Sequence, residues 1–117
     1  MVSTIERALS DFRAAAIEKG EFATPAERDR ALYRKMKAAV EALEAEGEAG
    51  EAAFRTLLDD ESAHVRAWAA AELLSRGDDS ARSVLERISR EQGSIGLAAK
   101  LTLAEHRARR LRSPFAH

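Results

Sequence analysis

The sequence predicts an all-α fold, a compact bundle of about six helices, from three observations. Ala, Glu, Leu, Arg and Lys supply 70 of the 117 residues, a composition typical of helical proteins. Val, Ile and Thr total only 12 residues, too few to furnish a sheet-rich domain. Apolar residues also recur at steps of three and four along most of the chain, which is the period of one helix face.

The first part of the chain predicts a helical hairpin over residues 3–46. Helix 1 is predicted at residues 3–19, where Ser3 has the position of a capping residue. Helix 2 is predicted at residues 25–46, after Thr24. The predicted inward stripes of these two helices comprise Ile5, Leu9, Phe12, Ala16, Leu32, Met36, Ala39 and Leu43.

Four further helices are predicted between residues 51 and 112. Helix 3 is predicted at residues 51–58, helix 5 at 79–91 and helix 6 after Gly93. Helix 4, at residues 63–76, is apolar nearly all round its axis, so we place it at the centre of the fold. The predicted inward stripe of helix 6 steps by four and three residues through Leu97, Leu101, Ala104, Ala108 and Leu111.

The sequence predicts one domain, residues 1–117, because no linker divides the chain. Pro114 limits helix 6, and residues 113–117 are predicted to fray as a tail.

Several classes of protein are excluded or disfavoured by composition. The chain has no Cys, which excludes disulfides, thiol chemistry and Cys-ligated zinc. Its longest uncharged run, residues 92–99, is far shorter than the ~20 apolar residues of a membrane span. The first residues show no secretory signal, so we expect a cytoplasmic protein. No phosphate-binding glycine loop or nucleophile elbow is present, and the sequence predicts neither an enzyme nor a cofactor.

A motif in the middle of the chain resembles the HEAT repeat. Residues 57–73 read Leu-Leu-Asp-Asp-Glu-Ser-Ala-His-Val-Arg-Ala-Trp-Ala-Ala-Ala-Glu-Leu, which combines an apolar helix end, a polar turn and a second helix that opens with Val-Arg. The resemblance implies HEAT-like packing of the helices between residues 51 and 112, with Arg66 suited to reach Asp59 or Asp60. The residues that carry this signature are Leu58, Asp59, Val65, Arg66, Ala69, Ala70 and Leu73.

The closing segment supports a second resemblance. Residues 96–103, followed by basic residues and taken with the motif above, are similar to a family of small bacterial all-helical proteins catalogued only as a domain of unknown function. That family brings no established activity with it.

Two local features have both a functional and a structural interpretation. Glu61 and His64 have the Glu-x-x-His spacing of carboxylate metal sites, but the motif occurs once and straddles a predicted turn, which favours a capping Glu and an exposed His and predicts no metal. Trp68 is the only Trp and is interpreted first as a core aromatic, or else as a partner anchor in a groove.

Charge is segregated along the chain. Residues 41–61 hold eight acidic side chains against one arginine, and residues 100–112 hold five basic side chains against one glutamate. The acidic group is interpreted as a solvated face or as a surface that meets a basic one. The candidate partner-binding residues are Glu44, Glu48, Glu51, Trp68, Lys100, Arg107 and Arg110.

The leading hypothesis from the sequence is a non-enzymatic module that binds a protein partner. Inhibition of a toxin or effector is one version of it, which no residue selects. The alternative is nucleic-acid binding through the basic last helix, since phosphate contacts need clustered cations. Against this alternative stand a net charge of -1 and the lack of interleaved aromatics. Self-association through the hairpin of helices 1 and 2 is a further hypothesis; no membrane partner is expected.

Overall fold

A computed structural model of the protein describes residues 2–21 and 24–116. It confirms the all-α fold class, and the described residues form six α-helices and one short 3₁₀ helix, with no strand among them. The helices are α1 (Thr4–Glu21), α2 (Ala26–Ala45), α3 (Gly47–Arg55), α4 (Ala63–Ser75), α5 (Ser80–Ile88) and α6 (Ser94–Arg107), with the 3₁₀ helix at Thr56–Asp59.

The chain divides into two compact units, Met1–Leu57 and Leu58–His117. Each unit has its own set of buried side chains. The prediction of one domain over residues 1–117 stays a prediction. Position 117, the end of the predicted tail, lies outside the described residues.

The first unit is built on the α1–α2 hairpin that the sequence predicts. Ser3 caps α1, because its Oγ accepts a hydrogen bond from the Glu6 backbone N–H at 3.1 Å. The predicted stripe of α2 is confirmed. Its buried residues are Leu32, Met36, Ala39, Val40 and Leu43.

Two ion pairs join α1 to α2. Lys19 Nζ donates to Asp29 Oδ1 at 2.6 Å, and Arg28 donates to both Glu18 carboxylate oxygens at 2.5 and 2.6 Å. The hydrogen bond from Lys19 lowers the pKa of Asp29 below its ordinary value, and the hydrogen bond from Arg28 does the same for the pKa of Glu18.

Helix α3 packs against α1 and α2, whereas the sequence assigned helix 3 to the HEAT-like half. Phe54 of α3 meets Phe12 of α1 edge to face, with ring centroids 5.3 Å apart. Gly47 has φ +64° and separates α2 from α3, and Gly50 is buried where α3 meets the end of α2. A Cβ on Gly50 would lie 1.8 Å from the Leu43 carbonyl oxygen, so only glycine permits this approach.

The second unit contains α4, which packs against both α5 and α6. The sequence placed helix 4 at the centre of the whole fold; within this unit α5 also packs against both other helices, so the central place of helix 4 stays a prediction. Ser62 caps α4 by accepting a hydrogen bond from the Val65 backbone N–H at 3.5 Å, and Gly77 ends the segment with φ +90°. The buried residues of α4 are Val65, Ala69, Ala70, Glu72, Leu73 and Leu74.

No helix among residues 2–21 and 24–116 has the length and apolar character needed to cross a membrane.

Candidate interaction surface on the last helix

Helix α6 turns two leucines towards solvent. Leu97 is 57% exposed and Leu101 is 59% exposed, and the only other large apolar side chain this exposed within the described ranges is Val2, near the N-terminus. Ala104 and Ala108 are exposed at the next steps of three and four residues. We call Leu97, Leu101, Ala104 and Ala108 the α6 stripe; the first three share one face of the helix, and Ala108, the residue directly after it, continues the row.

The opposite face of α6 is buried and lined by small residues. Its buried members are Gly96, Ala99 and Leu103. A Cβ on Gly96 would lie 1.9 Å from the Glu91 carbonyl oxygen, so the backbone of α6 comes very close to the turn that precedes it. Only a face with glycine and alanine at its start permits this approach, and the leucines on the other face therefore point outward.

The predicted inward stripe of helix 6 is wrong. Leu97, Leu101, Ala104 and Ala108 are exposed, and of the five predicted residues only Leu111 is half-buried. The helix is also shorter than predicted, because it ends at Arg107 and Arg109 has φ +60°. The Arg110 backbone N–H then donates to the Glu105 carbonyl oxygen at 2.8 Å, which closes the helix end.

Basic side chains lie along one edge of the α6 stripe. Lys100 and Arg107 are exposed, are seven residues apart, and each precedes a residue of the stripe, so the helical repeat places them along the same edge. Glu105, also exposed, lies on the other edge and forms an exposed ion pair with Arg110 at 3.4 Å. Arg109 and Arg112 follow the helix and are exposed as well.

The segment after α6 is docked on the second unit over residues 113–116, which corrects the predicted frayed tail for these residues. Phe115 is only 6% exposed and its ring stacks on Trp68, with centroids 5.7 Å apart. Ser113 Oγ donates to a carboxylate oxygen of Glu72 and accepts from the Phe115 backbone N–H at 3.0 Å. The tail is therefore held by an aromatic contact and a hydrogen-bonded serine.

Glu72 is the buried charged residue at the base of this contact, with 2% exposure. Its two carboxylate oxygens accept hydrogen bonds from different partners: Nε of Arg76, the residue that directly follows α4, and Ser113 Oγ from the tail. The pairing with Arg76 follows from the sequence spacing, whereas the burial of Glu72 and its contact with Ser113 do not. A buried carboxylate needs partners of this kind, because desolvation without them is costly.

Trp68 is half-buried on α4 and lies against Phe115. This agrees with neither sequence interpretation in full: the ring is not in the fully buried core, and the chain's own tail already lies against it.

The acidic candidates lie in the first unit. Glu44 is exposed near the end of α2, and Glu48 and Glu51 are exposed on α3. Glu51 forms an exposed ion pair with Arg55 at 3.1 Å. Exposed pairs of this kind contribute little to stability.

The HEAT-like residues are mostly internal to the second unit. Val65, Ala69, Ala70 and Leu73 are buried on α4, as their packing roles predict. Leu58 is half-buried and Asp59 is exposed, both in the 3₁₀ helix.

Arg66 lies beside these residues on α4 and is half-buried. Its Nε is buried and has no hydrogen-bond partner in the part of the chain that the structure describes. The expected pairing with Asp59 or Asp60 is therefore not made through this atom. Asp60 Oδ2 instead accepts from the Ser62 backbone N–H at 3.0 Å.

Glu61 and His64 do not form part of a metal site in the described structure. Glu61 is exposed ahead of α4, and His64 is half-buried at the second residue of the helix. Within residues 2–21 and 24–116, no group of three or more His, Cys, Asp or Glu side chains is placed to hold a metal ion.

Two structural features of this surface and its surroundings were missed at the level of sequence. Gly96 and Ala99 could have indicated that Leu97 and Leu101 are exposed. They belong to a second periodic face of the helix, and its small residues permit closer packing than the leucine face does. The docked tail has a weaker signal in Phe115, an aromatic residue directly after Pro114.

The chain was compared with protein-family models, curated proteins and solved structures, and none of the three comparisons gives a match.

Proposed function

We propose that the protein is a non-enzymatic module that binds a protein partner through the α6 stripe. The observation that carries the proposal is the exposure of Leu97 and Leu101, one turn apart, on a helix that buries Gly96, Ala99 and Leu103 on its opposite face. Isolated exposed leucines are common on protein surfaces, but a row of apolar side chains rimmed by charges marks an interaction surface.

The energetic reason is the hydrophobic effect. Covering an exposed leucine stabilises a complex by roughly 25 cal/mol for each Å² of apolar surface removed from water. Leu97 and Leu101 are one turn apart, so a single partner segment covers both. Lys100 and Arg107 at the edge add orientation and faster association rather than most of the affinity.

The same helix supports nucleic-acid binding less well. Lys100, Arg107, Arg109, Arg110 and Arg112 are all exposed and supply the cations that phosphates need. A nucleic-acid backbone would, however, leave the leucines of the stripe without an apolar partner. Nucleic-acid binding is therefore the alternative to the proposed function.

The finer features of the proposal come from the sequence. HEAT-like packing of the second unit is supported by the buried Val65, Ala69, Ala70 and Leu73. We place the module in the cytoplasm, and inhibition of a toxin or effector is one form that its binding could take.

The proposal is tested by crosslinking in a lysate of the source organism. The full chain and a variant with Leu97→Ser and Leu101→Ser, which we call the serine variant, are compared, with Val2→Ser as the control at an equally exposed apolar residue. We expect the serine variant to lose specific crosslinked proteins that the wild type and Val2→Ser retain. Identical crosslinked proteins in all three samples would contradict the proposal.

The nucleic-acid alternative is tested by titration with duplex and single-stranded DNA at low salt. Binding that is lost on Arg107→Ala with Arg110→Ala, but kept in the serine variant, would favour the alternative over protein binding.

A further inference from the structure

We propose that the segment that binds the α6 stripe is an amphipathic helix with acidic side chains beside its apolar face. This inference rests on the proposed function and specifies the chemistry of the partner.

The shape of the stripe favours a helix as the occupant. Leu97, Leu101, Ala104 and Ala108 are spaced by four, three and four residues, the a/d spacing of a two-helix seam. The stripe lies along α6, which has 14 residues and is therefore about 21 Å long. A second helix can lie along this row with its own apolar residues between the leucines, and the alanines allow close approach of its backbone.

The charges beside the stripe favour an acidic partner. Lys100 and Arg107 follow one edge of the seam, and Arg109 and Arg112 extend the positive charge beyond the end of α6. Glu105 is the only acidic residue within positions 94–112 and already has Arg110 beside it. A partner helix with carboxylates facing Lys100 and Arg107 forms favourable pairs across the seam, as e and g residues do in coiled coils.

A second copy of the chain fits the same surface poorly. Pairing two α6 helices antiparallel places g positions opposite g positions, which brings Lys100 of one copy near Arg107 of the other. Pairing them in parallel places Lys100 opposite Glu105 of the other copy, which is a favourable pair, but it also brings both clusters of arginines together at the helix ends. Like charges meet in either arrangement, so a helix with the opposite charge is favoured.

The small size of the stripe sets the expected strength of binding. Two leucines and two alanines cover much less than the roughly 800 Å² per partner of a stable protein interface. We therefore expect an isolated partner helix to bind weakly, with Kd on the order of 10–100 μM, and to depend on salt.

The experiment compares two helical peptides of 21 residues that share one apolar seam of leucines and alanines. One peptide has Glu at all positions flanking the seam and the other has Lys there. Binding of each labelled peptide to the full chain is followed by fluorescence anisotropy at low and high salt. We expect the Glu peptide to bind at least tenfold more tightly than the Lys peptide at low salt, and this preference to shrink at high salt.

Charge reversal on the protein identifies the residues responsible. In a variant with Lys100→Glu and Arg107→Glu, the preference should invert in favour of the Lys peptide. The matched control is Arg87→Glu with Arg90→Glu, which makes the same change in net charge at exposed positions of the same unit. This control should still prefer the Glu peptide, and the serine variant should lose binding of both peptides.

Several outcomes would overturn the inference. Equal binding of the two peptides would contradict the proposal of an acidic partner helix. The same holds if the preference between the peptides does not invert in the charge-reversal variant. A wild-type dimer in sedimentation that the serine variant abolishes would identify a second copy as the occupant. Binding to vesicles of phosphatidylcholine and phosphatidylserine that the serine variant abolishes, without any peptide preference, would identify a lipid surface.

The two proposals fail in different ways. If neither peptide binds while the serine variant still loses crosslinked proteins from the lysate, the acidic-helix inference is wrong and the proposed function stands. If the serine variant loses none of these proteins, the proposed function is wrong.

Discussion

Glu72 shows how a single buried side chain organises the end of the second unit. The carboxylate is 2% exposed, and its two partners are Arg76, the residue that directly follows α4, and Ser113 of the C-terminal segment. Ser113 links the carboxylate to the backbone of Phe115, which lies against Trp68. A polar contact and an aromatic contact therefore hold the same four-residue segment in place.

The docked tail predicts a change in Trp68 fluorescence on substitution. Phe115→Ala should uncover part of Trp68, move its emission to longer wavelength and lower the free energy of unfolding by about 3 kcal/mol. Ser113→Ala should act in the same direction by about 1–2 kcal/mol, because it leaves the Glu72 carboxylate short of a donor. Trp68 is the only tryptophan, so its emission reports this site alone.

Arg112→Ala is the control for these substitutions, at an exposed neighbour in the same segment. Unchanged emission and stability in both Phe115→Ala and Ser113→Ala would show that the tail is not docked.

Gly50 predicts a second effect at the scale of one residue. Gly50→Ala places a Cβ 1.8 Å from the Leu43 carbonyl oxygen, so α3 has to move away from the end of α2. We expect a loss of about 1–3 kcal/mol in the free energy of unfolding, measured by urea denaturation with circular dichroism. Glu51→Ala, the exposed neighbour, should cost less than about 0.5 kcal/mol. Equal stability of the two variants would contradict the close approach of these helices.

At the scale of elements, the orientation of α6 determines which of its apolar side chains the second unit exposes. The helix has two periodic faces: a leucine face that is exposed, and a Gly96–Ala99–Leu103 face that is buried. Periodicity predicts that a helix is present but does not choose between two periodic faces. The choice is made by close backbone packing at Gly96, which depends on the tertiary structure.

The orientation of α6 predicts unequal effects of truncating its leucines. Leu103→Ala should lower the free energy of unfolding by about 2–4 kcal/mol, since it leaves a cavity in a packed interface. Leu101→Ala should change it by less than about 0.5 kcal/mol, because the side chain is 59% exposed. Thermal or urea unfolding measures both, and the reverse order would show that the sequence-based orientation of helix 6 was right.

The α1–α2 hairpin predicts a dependence of stability on pH. The pKa of Asp29 is lowered from its ordinary 3.8 by the Lys19 hydrogen bond, so the folded state releases this proton more readily than the unfolded state. The resulting stabilisation is present above about pH 4 and is lost as the pH falls through the lowered pKa of the folded state. The Asp29 side chain is 49% exposed, and solvent screening therefore keeps the effect small.

Asp29→Asn is the matched variant, since it keeps the size of the side chain. It should be slightly less stable than the wild type at pH 7, and this difference should shrink towards pH 2 in urea denaturation. A difference that stays constant across this range would contradict the role of the Lys19–Asp29 pair.

At the scale of the whole molecule, the sequence predicts most of the fold and little of the surface. The all-α class, the α2 stripe and the Ser3 cap are confirmed, because each depends on local composition or spacing. The outward leucines, the docked Phe115 and the grouping of α3 with the hairpin depend on contacts between distant segments. Local patterns do not encode these contacts.

The structure also shows what surrounds the acidic and the basic residues that are segregated along the chain. The basic residues of the last segment lie beside an exposed apolar row, and this arrangement is the basis of the proposed binding of an acidic helix. The acidic residues Glu48 and Glu51 are exposed on α3, where the described structure gives them no apolar row of comparable size.

The central claim is that α6 turns Leu97 and Leu101 outward and Leu103 inward, and thiol labelling tests it most directly. The natural chain has no cysteine, so Leu97→Cys, Leu101→Cys and Leu103→Cys each introduce a single reactive group. In the folded full chain, positions 97 and 101 should react with a maleimide as fast as Val2→Cys, and position 103 at least tenfold more slowly. Fast labelling at position 103 with slow labelling at 97 and 101 would contradict the orientation of α6 and remove the basis of both proposals.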